Sequence, residues 1–193
     1  MAKLTRSDLY SLEKYSEIRN EFRKKIIAHK EHRRVLLGEH LLLLFEDRLI
    51  MQYQVQEMLK AEKIFDAAGI EEELDAYNPL IPDGRNWKAT MMIQYEDLEQ
   101  RKTMLSQLIG IEDKVYMQVD GFDKVFAIAD EDISRDNAEK TSAVHFLRFE
   151  LDVDMVAAAK QGNAIDAGVE HDKYSYSTTL TDNVRASLAN DLD

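Results

Sequence analysis

The chain has 193 residues, with 25 Lys and Arg against 37 Asp and Glu, so its formal net charge at pH 7 is −12. It contains no cysteine, which excludes disulfides, thiolate metal sites and a cysteine nucleophile. The acidic balance argues against general nucleic-acid binding, which depends on clustered positive charge. A chain of this length can bury one sizeable core, so we expect one main domain.

The start of the sequence shows no apolar segment after the basic Lys3, and we therefore expect no secretory signal. The longest apolar run, Leu41–Phe45, is far too short to cross a bilayer. The sequence thus predicts a cytoplasmic protein that does not bind a membrane.

The N-terminal half alternates between helical and strand patterns. Residues 8–34 predict one long amphipathic helix, because apolar side chains recur every three or four positions. The dense aliphatic run at 35–45 is typical of a strand buried on both faces. Residues 48–68 return to helical spacing, and Gly69 is a natural stop for that helix. Both prolines of the chain fall within 78–84, which predicts an ordered loop.

The second half alternates short apolar segments with turn signals. Strands are expected at residues 87–95, 115–119, 124–129 and 142–151. Asp120 and Gly121 separate two of these strands and favour a hairpin. A helix is expected at 96–109, a charged loop at 131–141, and a short Ala-rich helix up to residue 160.

These segments together predict an α+β fold, with a largely antiparallel sheet of about five strands covered by helices and a long N-terminal helix. We expect a single domain over residues 1–160. Residues 161–193 are rich in Ser, Thr, Asn and Asp, which predicts a polar C-terminal extension. Within it Val184, Leu188 and Leu192 recur every four positions, which predicts a short final helix.

Most known catalytic signatures are absent. The sequence has no Gly-rich phosphate loop, no Gly-x-Gly-x-x-Gly, no His-Glu-x-x-His and no Gly-x-Ser-x-Gly. No predicted helix carries a Glu-x-x-His pair, which weakens the case for a carboxylate-bridged di-iron centre. Whether the chain is an enzyme stays open, and the sequence indicates no particular cofactor.

The helix expected at 48–68 places two polar residues, Gln54 and Glu57, near the centre of its apolar arc. A buried carboxylate must be paired, hydrogen-bonded or protonated, because isolated burial costs several kcal/mol. One interpretation is a pocket acid or base whose pKa is raised by desolvation. The other is a structural glutamate paired with an arginine or with backbone amides.

The strand expected at 142–151 carries His145 between two apolar neighbours on the same face. A histidine in that position lies either in the core or in a pocket, and only the pocket allows proton transfer. Arg148 and Glu150 share the opposite face and are placed to pair across strands.

These residues support the hypothesis of a ligand pocket between the helix at 48–68 and the sheet. Glu57 would be its acid or base, His145 the partner of Glu57, and Gln54 and Arg148 would orient a ligand. The proline-containing loop would add the polar and aromatic residues Tyr77, Asn78, Arg85 and Trp87. A rigid structural turn is the alternative for that loop.

The first predicted helix is basic. Residues 19–34 contain seven Lys and Arg against two Glu, a net charge of 7 − 2 = +5, whereas the rest of the chain sums to −12 − 5 = −17. Such asymmetry favours a docking surface for a protein partner or for a second subunit. The candidate docking residues are Arg19, Arg23, Lys30 and Arg34.

His29 and His32 lie three positions apart on the same helix, a spacing that can present two nitrogens to one metal. The surrounding cations disfavour a divalent metal, so we predict a solvated helix face rather than a metal site. A metal site that also uses nearby carboxylates is the weaker alternative.

Five segments have a distinctive sequence. They are LFEDR at 44–48, QVQEMLKAE at 54–62, YNPLIP at 77–82, AIADED at 127–132 and TSAVHFLRFEL at 141–151. Through them the chain resembles a bacterial family catalogued as domain of unknown function 3501, over residues 1 to about 155. The resemblance carries no catalytic residue. Its members are often encoded near rubrerythrin-like and iron–sulfur oxidoreductase proteins, which implies an accessory role in redox or oxidative-stress metabolism.

Two functional hypotheses follow. The first is a non-catalytic accessory or binding protein, expected to be a homo-oligomer, that docks through its basic helix on a redox partner. The second is a small-molecule enzyme or ligand-binding protein that uses the Glu57 and His145 pocket.

Overall fold

The computed structural model describes residues 2–129, 131 and 140–193. Most of the loop expected at 131–141 lies outside these residues. The helices are α1 (Leu12–Glu31), α2 (Arg48–Glu62), α3 (Ala67–Tyr77), α4 (Leu98–Gln107), α5 (Val153–Gln161) and α6 (Asp182–Ala189). The strands are β1 (Arg34–Leu37), β2 (Leu41–Phe45), β3 (Asn86–Ile93), β4 (Val115–Val119), β5 (Val125–Phe126), β6 (Ile128–Ala129), β7 (Val144–Glu150), β8 (Ile165–His171) and β9 (Tyr174–Thr179).

The strands form two antiparallel sheets instead of the single sheet of about five strands that was expected. The first has the order β1-β2-β3-β7-β6, and the second has the order β5-β4-β8-β9. The α+β class and the long N-terminal helix are confirmed. In the described part of the chain, no helix is both long and apolar enough to cross a membrane.

Three expected elements near the N terminus have different bounds. The first helix begins at Leu12, because Ser11 caps it by accepting the Lys14 amide at 3.3 Å, and it ends at Glu31. The aliphatic run at 35–45 is a hairpin rather than one strand, since Gly38 turns the chain with φ = 67°. The helix expected at 48–68 ends early, because Lys63 adopts the left-handed conformation at φ = 57°.

The main hydrophobic core draws its residues from both sheets and from the C-terminal segment. Residues 161–193, expected to form a polar extension, contribute β8, β9 and the short final helix α6. Ile165, Ala167 and Val169 of β8 are fully buried. The ring N–H of Trp87 donates to the Leu188 carbonyl at 3.0 Å. The burial of this segment was not predicted from the sequence. Small residues fill several of its core positions, so its content of large apolar residues is low.

A buried arginine joins the C-terminal helix to the rest of the molecule. Arg33 is 1% exposed and donates to two carbonyls at the end of β2, at 2.9 and 3.0 Å. Its guanidinium also donates to the Ser187 hydroxyl at 3.1 Å and forms an ion pair with Asp191. Asp47, which caps α2, lies 3.5 Å from the Arg33 side chain. Burial raises the pKa of Asp191 to about 6, although Arg33 acts to lower it.

We expect the substitution Arg33→Met to lower the free energy of unfolding by about 3–5 kcal/mol, because it leaves Asp191 buried without its cation. Urea denaturation measures this change. Arg34→Met is the matched control, since that guanidinium is exposed and lies 3.7 Å from Glu31. Equal losses of stability in the two variants would contradict the role assigned to Arg33.

Candidate functional site

The five-stranded sheet has one face in the core and one outer face. Along β3, Trp87, Ala89 and Met91 are buried, whereas Lys88 and Thr90 are half-buried on the outer face. This alternation follows from the two-residue period of a strand. In the register of the sheet, the outer-face partners of Lys88 and Thr90 on β7 are Arg148 and Phe146.

A cleft of about 460 Å³ lies between this outer face and the proline-containing loop. We call it the sheet cleft. Its apolar lining residues are Pro79, Leu80, Ile81, Pro82, Ala89, Ile128, Phe146 and Leu147. Its polar lining residues are Lys3, Glu46, Asn78, Asp83, Lys88, Glu131 and Arg148. The cleft therefore combines an apolar wall with charged groups from two strands and a loop.

Lys88 is the half-buried lysine of the cleft, whereas the other lining lysine, Lys3, is exposed. The Lys88 ammonium donates to the Pro79 carbonyl at 2.6 Å. Among the described residues, no carboxylate oxygen lies within 4.0 Å of its nitrogen. Burial lowers the pKa of Lys88 although Asp83 acts to raise it, so the charge of its ammonium is partly desolvated.

Arg148 is fully engaged by acidic side chains. Its guanidinium donates to both carboxylate oxygens of Glu131 at 2.8 Å, and also to Glu150 at 2.5 Å. The hydrogen bonds from Arg148 lower the pKa of Glu131, and those to Glu131 raise the pKa of Arg148. This pair forms a neutralised wall of the sheet cleft. Of the two lining lysines, Lys88 is half-buried and Lys3 is exposed, so Lys88 is the cation that gains most from an anion.

Glu46 lines the cleft from the end of β2 and is 5% exposed. One carboxyl oxygen accepts from the Thr90 hydroxyl at 2.5 Å, and the other has no hydrogen-bond partner in the described structure. Burial raises the pKa of Glu46, because desolvation disfavours the charged form. Glu46 is thus a buried carboxyl beside the cleft with one unsatisfied oxygen.

Some of the residues predicted to bind a ligand line the sheet cleft, and the others lie elsewhere. Asn78 and Arg148 both line the sheet cleft, so the structure brings these two together. The Asn78 amide also holds the backbone of Leu4, accepting at 2.7 Å and donating at 3.0 Å. Trp87 is fully buried in the core, and Arg85 is exposed.

Tyr77 is the last residue of α3 and packs against a smaller hydrophobic cluster formed by α2 and its neighbours. It does not line the sheet cleft.

Glu57 joins the two long helices of the N-terminal half. Arg19 on α1 donates to both of its carboxylate oxygens, at 2.8 and 2.7 Å, and the Tyr15 hydroxyl donates at 2.6 Å. The pKa of Glu57 is lowered to about 2, first by the Arg19 hydrogen bonds and against the effect of burial. This is the arginine-paired geometry, and the pKa moves opposite to the direction that the pocket hypothesis required.

His145 lies elsewhere, fully buried on β7. Its Nε2 atom is 2.8 Å from the Thr141 hydroxyl and 3.1 Å from the Ser142 carbonyl, and Glu112 is 3.8 Å away. Its partners share no residue with those of Glu57, so the structure does not bring these two side chains into one site. Gln54 is half-buried on α2 and lines neither the sheet cleft nor the surroundings of His145.

The basic residues of α1 and β1 have different surroundings. Arg19 is held by Glu57, and Arg34 lies 3.7 Å from Glu31. Arg23 is exposed, and Lys30 is half-buried. The positive charge counted in the sequence is therefore partly neutralised by neighbouring carboxylates.

The two histidines at the end of α1 point to different surroundings. The His29 ring lies 2.5 Å from Asp47, whereas His32 is exposed. Within the described ranges, no group of three or more His, Asp and Glu residues is arranged to hold a metal ion.

Glu46 and Lys88 were not predicted as site residues from the sequence. The available signal was a charged residue directly after a buried aliphatic strand, and a lysine between apolar neighbours in another strand. Their proximity depends on the pairing of β2 with β3, in which the Glu46 amide donates to the Lys88 carbonyl at 2.8 Å. That pairing joins residues far apart in the sequence.

The substitution Glu57→Gln is expected to lower the free energy of unfolding by about 1 kcal/mol near pH 7, because it removes the charge that Arg19 contacts. A carboxyl whose pKa is lowered on folding stabilises above its unfolded value of 4.5, and this contribution is lost as the pH falls through about 2. The difference between wild type and variant should therefore shrink in acid, as urea titrations over a pH series would measure.

Glu62→Gln, at an exposed position on the same helix, is the control and should leave stability nearly unchanged. A Glu57→Gln penalty that is independent of pH would show that the ion pair is not its source.

Comparisons with known proteins place the chain in a family. The family model described as "Protein of unknown function (DUF3501)" matches residues 3–192. The crystal structure of a novel protein of unknown function from Burkholderia pseudomallei K96243 is similar, with 52% sequence identity, full coverage of both chains and a TM-score of 0.94. A comparison with curated proteins gave no match. The chain therefore belongs to the DUF3501 family of proteins of unknown function.

Proposed function

We propose that the chain is a binding protein whose sheet cleft takes a small organic anion. The observation that carries the proposal is the half-buried ammonium of Lys88, which contacts a carbonyl oxygen and no carboxylate among the described residues. A partly desolvated cation gains most from a ligand group that supplies the opposite charge. A carboxylate of the ligand would contact this ammonium.

The lining of the cleft supports an apolar body for the same ligand. Phe146 and Ile128 lie on the sheet side, and Leu80 and Ile81 lie on the loop side. A volume of about 460 Å³ is within the range of small-molecule sites. The favoured ligand is thus a short apolar carboxylate.

The test compares hexanoate with hexanamide, which has a similar shape and no charge. Hexanoate should raise the melting temperature and bind measurably in calorimetry, and hexanamide should bind at least about tenfold more weakly. Lys88→Met should remove this preference, because it keeps the apolar stem of the side chain and removes the ammonium.

Lys160→Met on α5 is the matched control, since this exposed lysine is not among the residues that line the sheet cleft. If Lys88→Met binds hexanoate as tightly as Lys160→Met does, the contact assigned to Lys88 is refuted. Equal binding of hexanoate and hexanamide to the wild type would refute the anion preference.

We also propose a second function, docking of α1 on an acidic protein partner, for which a redox protein is the candidate implied by the family resemblance. Its supporting observation is the exposed surface of α1, where Arg23 lies four positions before Ile27 and Lys30 three positions after it, on the same helix face as this 53% exposed side chain. An apolar residue within a basic rim has the composition of a small docking patch.

A pull-down at low and high salt with a purified rubrerythrin-like protein tests this second proposal. We expect capture at low salt, loss at high salt, and loss at low salt for the double variant Arg23→Glu, Lys30→Glu. Lys102→Glu on α4 is the control and should not affect capture. Absence of a salt-sensitive complex with wild type would reject the proposal for this partner.

A further inference from the structure

Strand β9 has one edge that pairs with no other strand of the described residues. It pairs with β8 along its whole length and forms the end of the four-stranded sheet. Residues 175–179 are all exposed, and only Tyr174 of the strand is buried. One edge of β9 therefore presents backbone groups to solvent.

The register shows which backbone groups these are. The Leu180 amide donates to the Ile165 carbonyl at 2.8 Å, so the hydrogen-bonded pairs of this hairpin also include Ala167 with Thr178 and Val169 with Tyr176. The alternate residues Ser175, Ser177 and Thr179 must then direct their N–H and C=O groups to the free edge. Among the described residues, the hydrogen bond found for these outward backbone groups runs from the Thr178 hydroxyl to the Thr179 carbonyl, and it is long at 3.5 Å.

This edge also lacks the usual protection against pairing. Natural edge strands are kept apart by charged residues, prolines, bulges or short length. Residues 174–181 contain neither charge nor proline. The other edge strands are shorter, because β5 and β6 have two residues each and β1 has four.

We propose that β9 pairs with β9 of a second copy of this chain, in antiparallel orientation about a twofold axis at Ser177. The outward groups are spaced symmetrically about that residue, so Ser177 would pair with Ser177 of the second copy and Ser175 with Thr179 of the second copy. This arrangement forms about six backbone hydrogen bonds. The two four-stranded sheets then become one sheet of eight strands.

Charge favours a second copy at this edge. Each chain carries −12, so two copies repel where their acidic surfaces meet, and an uncharged surface avoids that repulsion. The uncharged β9 edge is such a surface. In this register Tyr176, which is 47% exposed, faces Thr178 of the second copy. Pairs of an aromatic with a β-branched residue across strands are favourable.

The first test measures the mass in solution by light scattering coupled to size-exclusion chromatography. Wild type should have twice the 22.3 kDa mass of one chain at micromolar concentration. Ser177→Pro should be a monomer, since proline removes the central N–H donor on the free side and leaves the β8 pairing intact. Ser177→Ala keeps that N–H and should remain a dimer. A wild-type monomer, or a Ser177→Pro dimer, overturns the proposal.

A second test does not depend on the folding of the proline variant. Ser177→Lys and Ser177→Glu each place two like charges opposite one another at the twofold axis, so each variant alone should be a monomer. Mixing the two variants should restore a dimer that contains one chain of each. Dimers of either variant alone, or no heterodimer in a mixture of two folded monomers, would show that the chains do not meet at Ser177.

Discussion

The buried guanidinium of Arg33 constrains most of the structure. It follows α1 directly in the chain, and it binds the backbone at the end of β2, the start of α2 through Asp47, and α6 through Ser187 and Asp191. A buried arginine is tolerated only when its donors and its charge are satisfied. The helices of the N-terminal half, the first sheet and the C-terminal helix must therefore all be in place before this side chain is compensated.

The position of the sheet cleft follows from that constraint. Arg33 fixes the backbone at the end of β2, because its guanidinium donates to the carbonyl of Glu46 at 3.0 Å. Glu46 in turn lines the cleft. The opposite wall is held by Asn78, which binds the backbone of Leu4, and by the Lys88 ammonium bound to Pro79. Both walls are thus fixed by polar contacts that involve backbone atoms, so the cleft is formed without a ligand.

Local sequence patterns predicted the α+β class and the main elements, because amphipathic periods and turn residues act over short distances. The turn at Gly38 was not predicted, although Gly38, Glu39 and His40 separate the aliphatic residues of β1 from those of β2 and are a turn signal. Gln56 is fully buried although it is polar, because its amide pairs with the backbone of Tyr10. For the candidate site, the sequence pointed to Asn78 and Arg148. Lys88 could be assigned to the site only from the sheet register, which depends on contacts between distant segments.

The net charge has different consequences at long and at short range. At physiological salt the field of a −12 chain is screened beyond about 8 Å, so a small anion is selected by the groups within that distance. Of the cations near the cleft, Arg148 is neutralised by Glu131 and Glu150, whereas Lys88 is not paired with a carboxylate among the described residues. An acidic protein can therefore hold an anion at Lys88, provided that apolar contacts supply the remaining affinity. The same screening weakens the repulsion between two copies, and the uncharged strand β9 adds no like charges at short range where they would meet.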